Sequence, residues 1–155
     1  KRKLDRIDRM ILEILQKQGR IAISELAAMV NLSTTPCSER VKRLERDGII
    51  MGYHARLSPE LLDKRLLVFL EIKLSAKSGD VFEQVARDLA DIPEVLECHL
   101  ISGEFDYLVK ARLKEMSAYR KLLGNILKKL PASASSHSYV VMEEVKDSSY
   151  LDLSV

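Results

Sequence analysis

Apolar positions recur every three or four residues through the first third of the chain, and beyond it segments of period two alternate with helical ones. Leu4, Ile7, Ile11 and Leu15 fall on one stripe, which predicts a helix over residues 5–17 with Gly19 as its stop. Ser24 reads as the N-cap of a short second helix that buries Leu26, Ala27 and Val30, and Asn31-Leu32 closes it. Ser33 caps a third helix that Gly48 ends. Pro36 falls at about its third position, where a missing N–H costs no intrahelical bond. Residues 49–56 are apolar and interrupted by Gly52, the pattern of a small β-wing.

Ser58-Pro59 marks a boundary, and residues 60–64 read as a linker turn or short helix. From Leu66 to Ser75, Val68, Leu70, Ile72 and Leu74 alternate with Glu71 and Lys73, a strand signal. Ser78-Gly79-Asp80 opens a helix that turns Phe82, Val85, Ala86 and Leu89 inward and ends before Pro93. Strands are predicted over 95–101 and 105–113, with a tight turn at Gly103. A long amphipathic helix runs from Met116 to Leu130, and a last strand covers 138–145. The order β-α-β-β-α-β is the ferredoxin-like plan, an antiparallel sheet with both helices on one face. The fold class is therefore α+β: a winged helix-turn-helix over 1–56, a linker over 57–65 and a ferredoxin-like domain over 66–155. Apolar residues on both alternation sets (Leu96, Cys98 and Leu100 against Val95 and Ile101) imply that a second copy covers the open sheet face.

Charge sharpens this division. The net charge of +2 hides 12 Lys/Arg against 7 Asp/Glu in residues 1–56 and 13 against 16 in the rest, so the basic third calls for a polyanionic partner. No apolar run reaches the ~20 residues of a membrane span, and Lys1-Arg2-Lys3-Leu4-Asp5 is no secretory signal. The absent initiator Met reads as processing, a tag or an incomplete N-terminus. Cys37 and Cys98 have no metal-ligand spacing and read as free thiols of a reducing cytoplasm. With His54, His99 and His137 dispersed, no nucleophile–base pair, metal cluster or phosphate-cradling Gly loop is evident, so the expectation is a protein that is not an enzyme and needs no cofactor.

At ~100° per residue, Cys37, Val41 and Leu44 form the apolar back of the third helix. Thr35, Glu39, Lys42 and Arg46 lie opposite, flanked by Ser38 and Arg43. With Ser33 and Thr34 at the helix start and His54 in the wing, these are the candidate DNA-binding residues. Hydroxyls reach base edges or phosphates, Glu39 can accept from a cytosine amine, and the cations suit phosphate or guanine. Such a face is either a reading surface or an ordinary solvated one; the spacing of two successive caps, Ser24 and Ser33, favours the first.

Several motifs carry a wider resemblance. They include Leu4-Asp5-Arg6-Ile7-Asp8, Gly19-Arg20-Ile21, Pro36-Cys37 with Glu39-Arg40-Val41, Arg43-Leu44-Glu45, Gly48-Ile49-Ile50 and Gly52-Tyr53. Further on are Ser102-Gly103-Glu104-Phe105-Asp106-Tyr107, the run from Met116 to Gly124, and Tyr139 to Lys146. Together they cover essentially the whole chain, which resembles the Lrp/AsnC (feast/famine) family of transcriptional regulators. The resemblance implies a ferredoxin-like RAM domain that binds an amino acid or related effector. It also implies a homodimer assembling further, to an octamer, and a cytoplasmic, nucleoid-associated regulator of amino-acid metabolism genes. By the same resemblance the effector sits in the cleft between subunits, on Leu100, Ser102, Gly103, Glu104, Asp106 and Tyr107, with Ser135, Ser136 and Ser138 closing the site from a neighbouring subunit. Without it, the 102–106 loop reads rather as a plain hairpin turn, since Gly-acid pairs are common between strands. Thr34-Thr35 and Ser38 depart from the family's helix start, so operator preference is expected to differ, and Ser136-His137-Ser138 leaves the effector's identity open. An architectural protein that wraps DNA with little effector control is the alternative.

Overall fold

The computed structural model describes residues 3–75, 78–132 and 134–153. They divide into two units. One holds the residues up to Arg56 together with those from Lys146 onward, and the other is Leu57–Val145.

In the first unit, α1 (Arg6–Lys17), α2 (Ile23–Met29) and α3 (Thr34–Arg46) enclose a core of Ile11, Leu12, Leu26, Ala27, Val30, Cys37, Val41 and Leu44. Asp5 caps α1 in a capping box: its carboxylate accepts from Asp8 N–H, and Asp8 accepts in return from Asp5 N–H. The predicted cap of α2 moves from Ser24 to Ala22, which makes no side-chain bond; Ile21 and Ile23 both pack on the core, and that burial outweighs one hydroxyl cap. Both α2 and α3 end in the same way. Leu32 N–H reaches back to the Ala27 carbonyl and Asn31 N–H to that of Ala28, with Asn31 left-handed at φ 55°. Ile49 N–H reaches Leu44 and Gly48 N–H reaches Glu45, with Gly48 at φ 70°. These bonds explain a second correction: residues 49–56 hold no strand, because Ile49 and Ile50 both spend their N–H groups on the Leu44 carbonyl.

The second unit is β1 (Leu66–Lys73), α4 (Gly79–Ala90), β2 (Val95–Leu100), β3 (Tyr107–Leu113), α5 (Met116–Lys129) and β4 (Ser135–Val140). The strands form one antiparallel sheet in the order β2-β3-β1-β4. Val68, Leu70 and Ile72 of β1 and Tyr107, Val109 and Ala111 of β3 meet Val85 and Leu89 of α4 and Tyr119, Leu122 and Ile126 of α5. Two predictions shift. The strand expected over 138–145 runs from Ser135 to Val140, because its partner β1 begins at Leu66 and pairing ends with Val68 opposite Val140. In β2 a register shift between Val95 and Glu97 puts both Val95 and Cys98 against the core, so the strict alternation read from sequence is broken. Glu97 and His99 therefore share the open face with Lys110, which donates to Glu97 at 3.0 Å.

The tail returns to the first unit. Residues from Lys146 cluster with the helix-turn-helix instead of the sheet, since Leu153 packs on the first core.

Candidate DNA interface and effector loop

α3 presents the surface that the helical wheel selects. Ser33, Thr34, Thr35, Glu39, Lys42 and Arg46 are exposed, Ser38 is half-buried, and Cys37, Val41 and Leu44 lie behind them. Ser33 occupies the N-cap without a side-chain cap bond. One physical reason is visible in the sequence. The usual partner is the N–H of the second or third helical residue, and the third here is Pro36, which has none. The start of α3 thus carries exposed hydroxyls at a helix N-terminus, an arrangement suited to a phosphate oxygen.

Arg43 has a different environment. Its Nη2 donates to Asp8 Oδ1 at 2.5 Å, and Arg40 Nη1 donates to Asp8 Oδ1 at 2.8 Å and to Asp5 Oδ2 at 2.6 Å. Asp8 is almost fully buried, whereas the two guanidiniums remain about a quarter exposed. Arg40 beside Asp5 holds the Asp5 carboxyl below its usual range, aided by the backbone bond from Asp8. Two acids three residues apart, the N-cap Asp5 and Asp8 in the first turn of α1, thus fix two bases three residues apart in α3. Helical periodicity alone assigned Arg43 to the reading face and gave Arg40 no role; the matched spacing of Asp5/Asp8 and Arg40/Arg43 is the sequence signal that pairs them. His54 is exposed beside Gly52, and Tyr53 donates to Glu45 at 2.9 Å. Burial and the Glu45 carboxylate together push the Tyr53 hydroxyl up to about 12.

The loop after β2 is clamped to the end of β1. Leu74 N–H donates to Asp106 Oδ2 at 2.7 Å, Asp106 N–H donates to the Ile72 carbonyl, and Ile101 N–H to the Asp106 carbonyl. Asp106 and Tyr107 are both buried, and the Tyr107 hydroxyl donates to the Phe82 carbonyl at 2.8 Å. Ser102, Gly103 and Glu104 form the exposed crest of the loop, and Leu100 is 59% exposed beside it. A depression of about 270 Å³ lies against this loop, lined by Glu71, Lys73, Glu104, Phe105, Ser135, His137 and Tyr139. Ser136 and Ser138 are not among these residues. They pair with Ile72 and Leu70, whose side chains face the helices, and Ser138 hydrogen-bonds the Tyr119 hydroxyl of α5. Of the three serines that the sequence suggests, Ser135 meets the depression beside the loop, together with His137 and Tyr139 from the same face of β4.

The two units match known families separately. Residues 4–51 fit the model for winged helix-turn-helix DNA-binding domains, and residues 67–151 fit that of the Lrp/AsnC ligand-binding domain. This chain belongs to the Lrp/AsnC family. It is 57% identical over 148 residues to the leucine-responsive regulatory proteins of Salmonella typhimurium and Escherichia coli K12, covering 96% of this chain and 90% of each relative. Among solved structures, an AsnC family transcriptional regulator from Agrobacterium tumefaciens superposes with a TM-score of 0.92 at 32% identity. A Neisseria meningitidis transcriptional regulator in complex with L-Met gives 0.89 at 35% identity; each comparison covers 97% of both chains. This Lrp/AsnC protein is accordingly a DNA-binding transcriptional regulator. Among the described residues no helix is long and apolar enough to cross a membrane.

Proposed function

We propose that this regulator reads double-stranded DNA through the exposed face of α3 and that a free amino acid at the 102–106 loop alters that binding. Ser33, Thr34, Thr35, Ser38, Glu39, Lys42 and Arg46 are the reading residues, with His54 on the flank. Arg43, with Arg40, acts as a positioning residue: Asp8 holds it, and it fixes α3 on α1. The observation that carries the first half is the separation of cations on α3, with Lys42 and Arg46 exposed and Arg40 and Arg43 tied to α1.

For the effector, the depression beside the loop offers complementary charge for a zwitterion. Lys73 suits an α-carboxylate, Glu71 or Glu104 suits an α-ammonium, and Phe105 and Tyr139 offer apolar surface to a side chain. Ser102 and Gly103 supply backbone at the rim, while Asp106 and Tyr107 hold the loop in shape from beneath. Leucine and methionine are the first candidates, because relatives of this chain are leucine-responsive or bind L-Met. The assembly is a homodimer associating further, to an octamer, in the cytoplasm at the nucleoid, acting on genes of amino-acid metabolism. Leu96, Leu100, Tyr139 and Val140 support it as large apolar side chains left exposed on the sheet's strands. A dimer would offer two α3 helices to half-sites about one DNA turn (~34 Å) apart.

A screen of the twenty amino acids, read by thermal shift and by light scattering with and without operator DNA, tests this. A change in DNA affinity or assembly with at least one of them is expected. Strong DNA binding that no amino acid alters would leave a DNA-wrapping protein without effector control.

A further inference from the structure

The C-terminal segment docks on the helix-turn-helix unit through contacts that leave the face of α3 untouched. Gln16, exposed on α1, clamps Leu151 in both directions: Nε2 donates to the Leu151 carbonyl at 3.0 Å, and Oε1 accepts from Leu151 N–H at 2.7 Å. This is how an added strand residue is held, supplied here by one side-chain amide. Arg9 Nη1 donates to the Leu153 carbonyl at 3.2 Å, and the Leu153 side chain packs on the first core. The Lys17 ammonium lies 5.3 Å from the centroid of Tyr150. Arg56 donates to both the carbonyl and the carboxylate of Asp147, at 3.0 and 3.2 Å. Beneath the segment is a cavity of about 340 Å³ between α1 and residues 49–54, whose lining includes Leu12, Leu15, Tyr53, Leu151 and Leu153.

These contacts have a common character. The Gln16 and Arg56 hydrogen bonds are exposed, the Arg9 bond is part-buried and Leu153 is only partly buried, so the docked state belongs to the low-stability end of the fold, where local opening occurs. The segment is also the direct continuation of β4, which ends at Val140 and whose Ser135, His137 and Tyr139 line the depression beside the loop. Only residues 141–146 lie between that strand and the docked stretch.

We propose that the groove on α1 is a peptide site for the chain's own residues 147–153, and that docking and release of this clasp carry the effector's signal from β4 to the DNA-binding unit. This rests on the reading that an amino acid sits against β4. A ligand that strains or steadies the strand shifts the clasp between two states, and the DNA-binding unit is held by a second tether in one of them and not in the other.

The test uses the full chain carrying Gln16→Ala, Leu153→Ser, or both. Gln16→Ala places the best helix former at an exposed helical site, so any effect comes from the clamp and not from α1. Three quantities are measured: amide hydrogen exchange across 147–153, L-leucine binding by calorimetry, and operator affinity with and without L-leucine. We expect exchange at Leu151 to quicken about fivefold or more, consistent with loss of its bond to Gln16. Leucine binding and leucine-free operator affinity should stay within about twofold of the parent, while the leucine-induced change in operator affinity shrinks at least about threefold. Exchange at Leu151 N–H that is as fast in the parent as in Gln16→Ala overturns the clasp. Quickened exchange with an unchanged leucine response overturns the coupling. A parent that binds operator but no L-leucine defeats the effector reading and the coupling with it, while exchange still decides whether the clasp exists.

Discussion

Asp8 decides which cations of α3 are free for a polyanion. It is buried and already shared by Arg40 and Arg43, so the counterions DNA releases should be counted from Lys42 and Arg46. Operator affinity measured over a series of salt concentrations should therefore lose about 0.9 in its log–log slope with Lys42→Ala and again with Arg46→Ala. Arg43→Ala should leave the slope nearly unchanged while lowering the melting temperature; a full unit lost with Arg43→Ala would return that residue to the interface. The same network sets an acid dependence. Asp5 has its folded-state pKa held down by Arg40, so its contribution is complete above its usual pKa and is lost as pH falls through the lowered folded value. The melting temperature of the first unit should fall across that acid window, and Asp5→Asn should flatten the fall. Cation placement was legible from helical periodicity for Lys42 and Arg46. For Arg43 the wheel records direction from the axis and is silent about the Asp8 carboxylate on the neighbouring helix, which the fold pairs with it.

Turns and edges, not helix interiors, separate what the sequence pattern conveyed from what it did not. The ends of α2 and α3 both use a left-handed residue, Asn31 and Gly48, and both were readable as stops. Gly48→Ala should cost about 1 kcal/mol by chemical denaturation, since at φ 70° an added Cβ meets open space but a disfavoured backbone. Asn31→Gly should be neutral or slightly stabilising. The sheet was less legible. The bulge in β2 and the Ser-rich β4 carry little apolar alternation, so strand phase came from pairing with β3 and β1, which no local pattern encodes. Asp106, which the resemblance draws as a ligand group, also has a role in the fold: its carboxylate accepts from Leu74 N–H in a buried setting. Asp106→Ala should thus destabilise the second unit by about 1–3 kcal/mol, measured as a shift in its unfolding midpoint. An unshifted midpoint with lost effector binding would make Asp106 a ligand contact alone.

Two hydrophobic cores imply two structural accounts within one chain. Leu44 lies in the first and Leu70 in the second, both essentially inaccessible to solvent. Leu44→Ala and Leu70→Ala should each cost about 2–5 kcal/mol. The accelerated hydrogen exchange should be confined to the substituted residue's own unit, including 147–153 for Leu44→Ala. Spread of the Leu44→Ala effect into β1 and β3 would show a single cooperative body. The one boundary that composition could not supply was at Lys146, because a segment with Tyr150, Leu151 and Leu153 looks the same whether it ends a sheet domain or returns to a helical one.

Cys37 sits at the centre of α3 with no exposed surface, and burial pushes its thiol up, away from the reactive thiolate. A thiol reagent can reach it only when the recognition helix lifts from its neighbours, whereas Cys98, on β2, is only partly buried. The chain therefore contains its own clock for the DNA-reading element. The ratio of the two labelling rates counts openings of α3 against a reference in the other unit, and operator DNA that seats the helix should slow one hand of that clock and not the other.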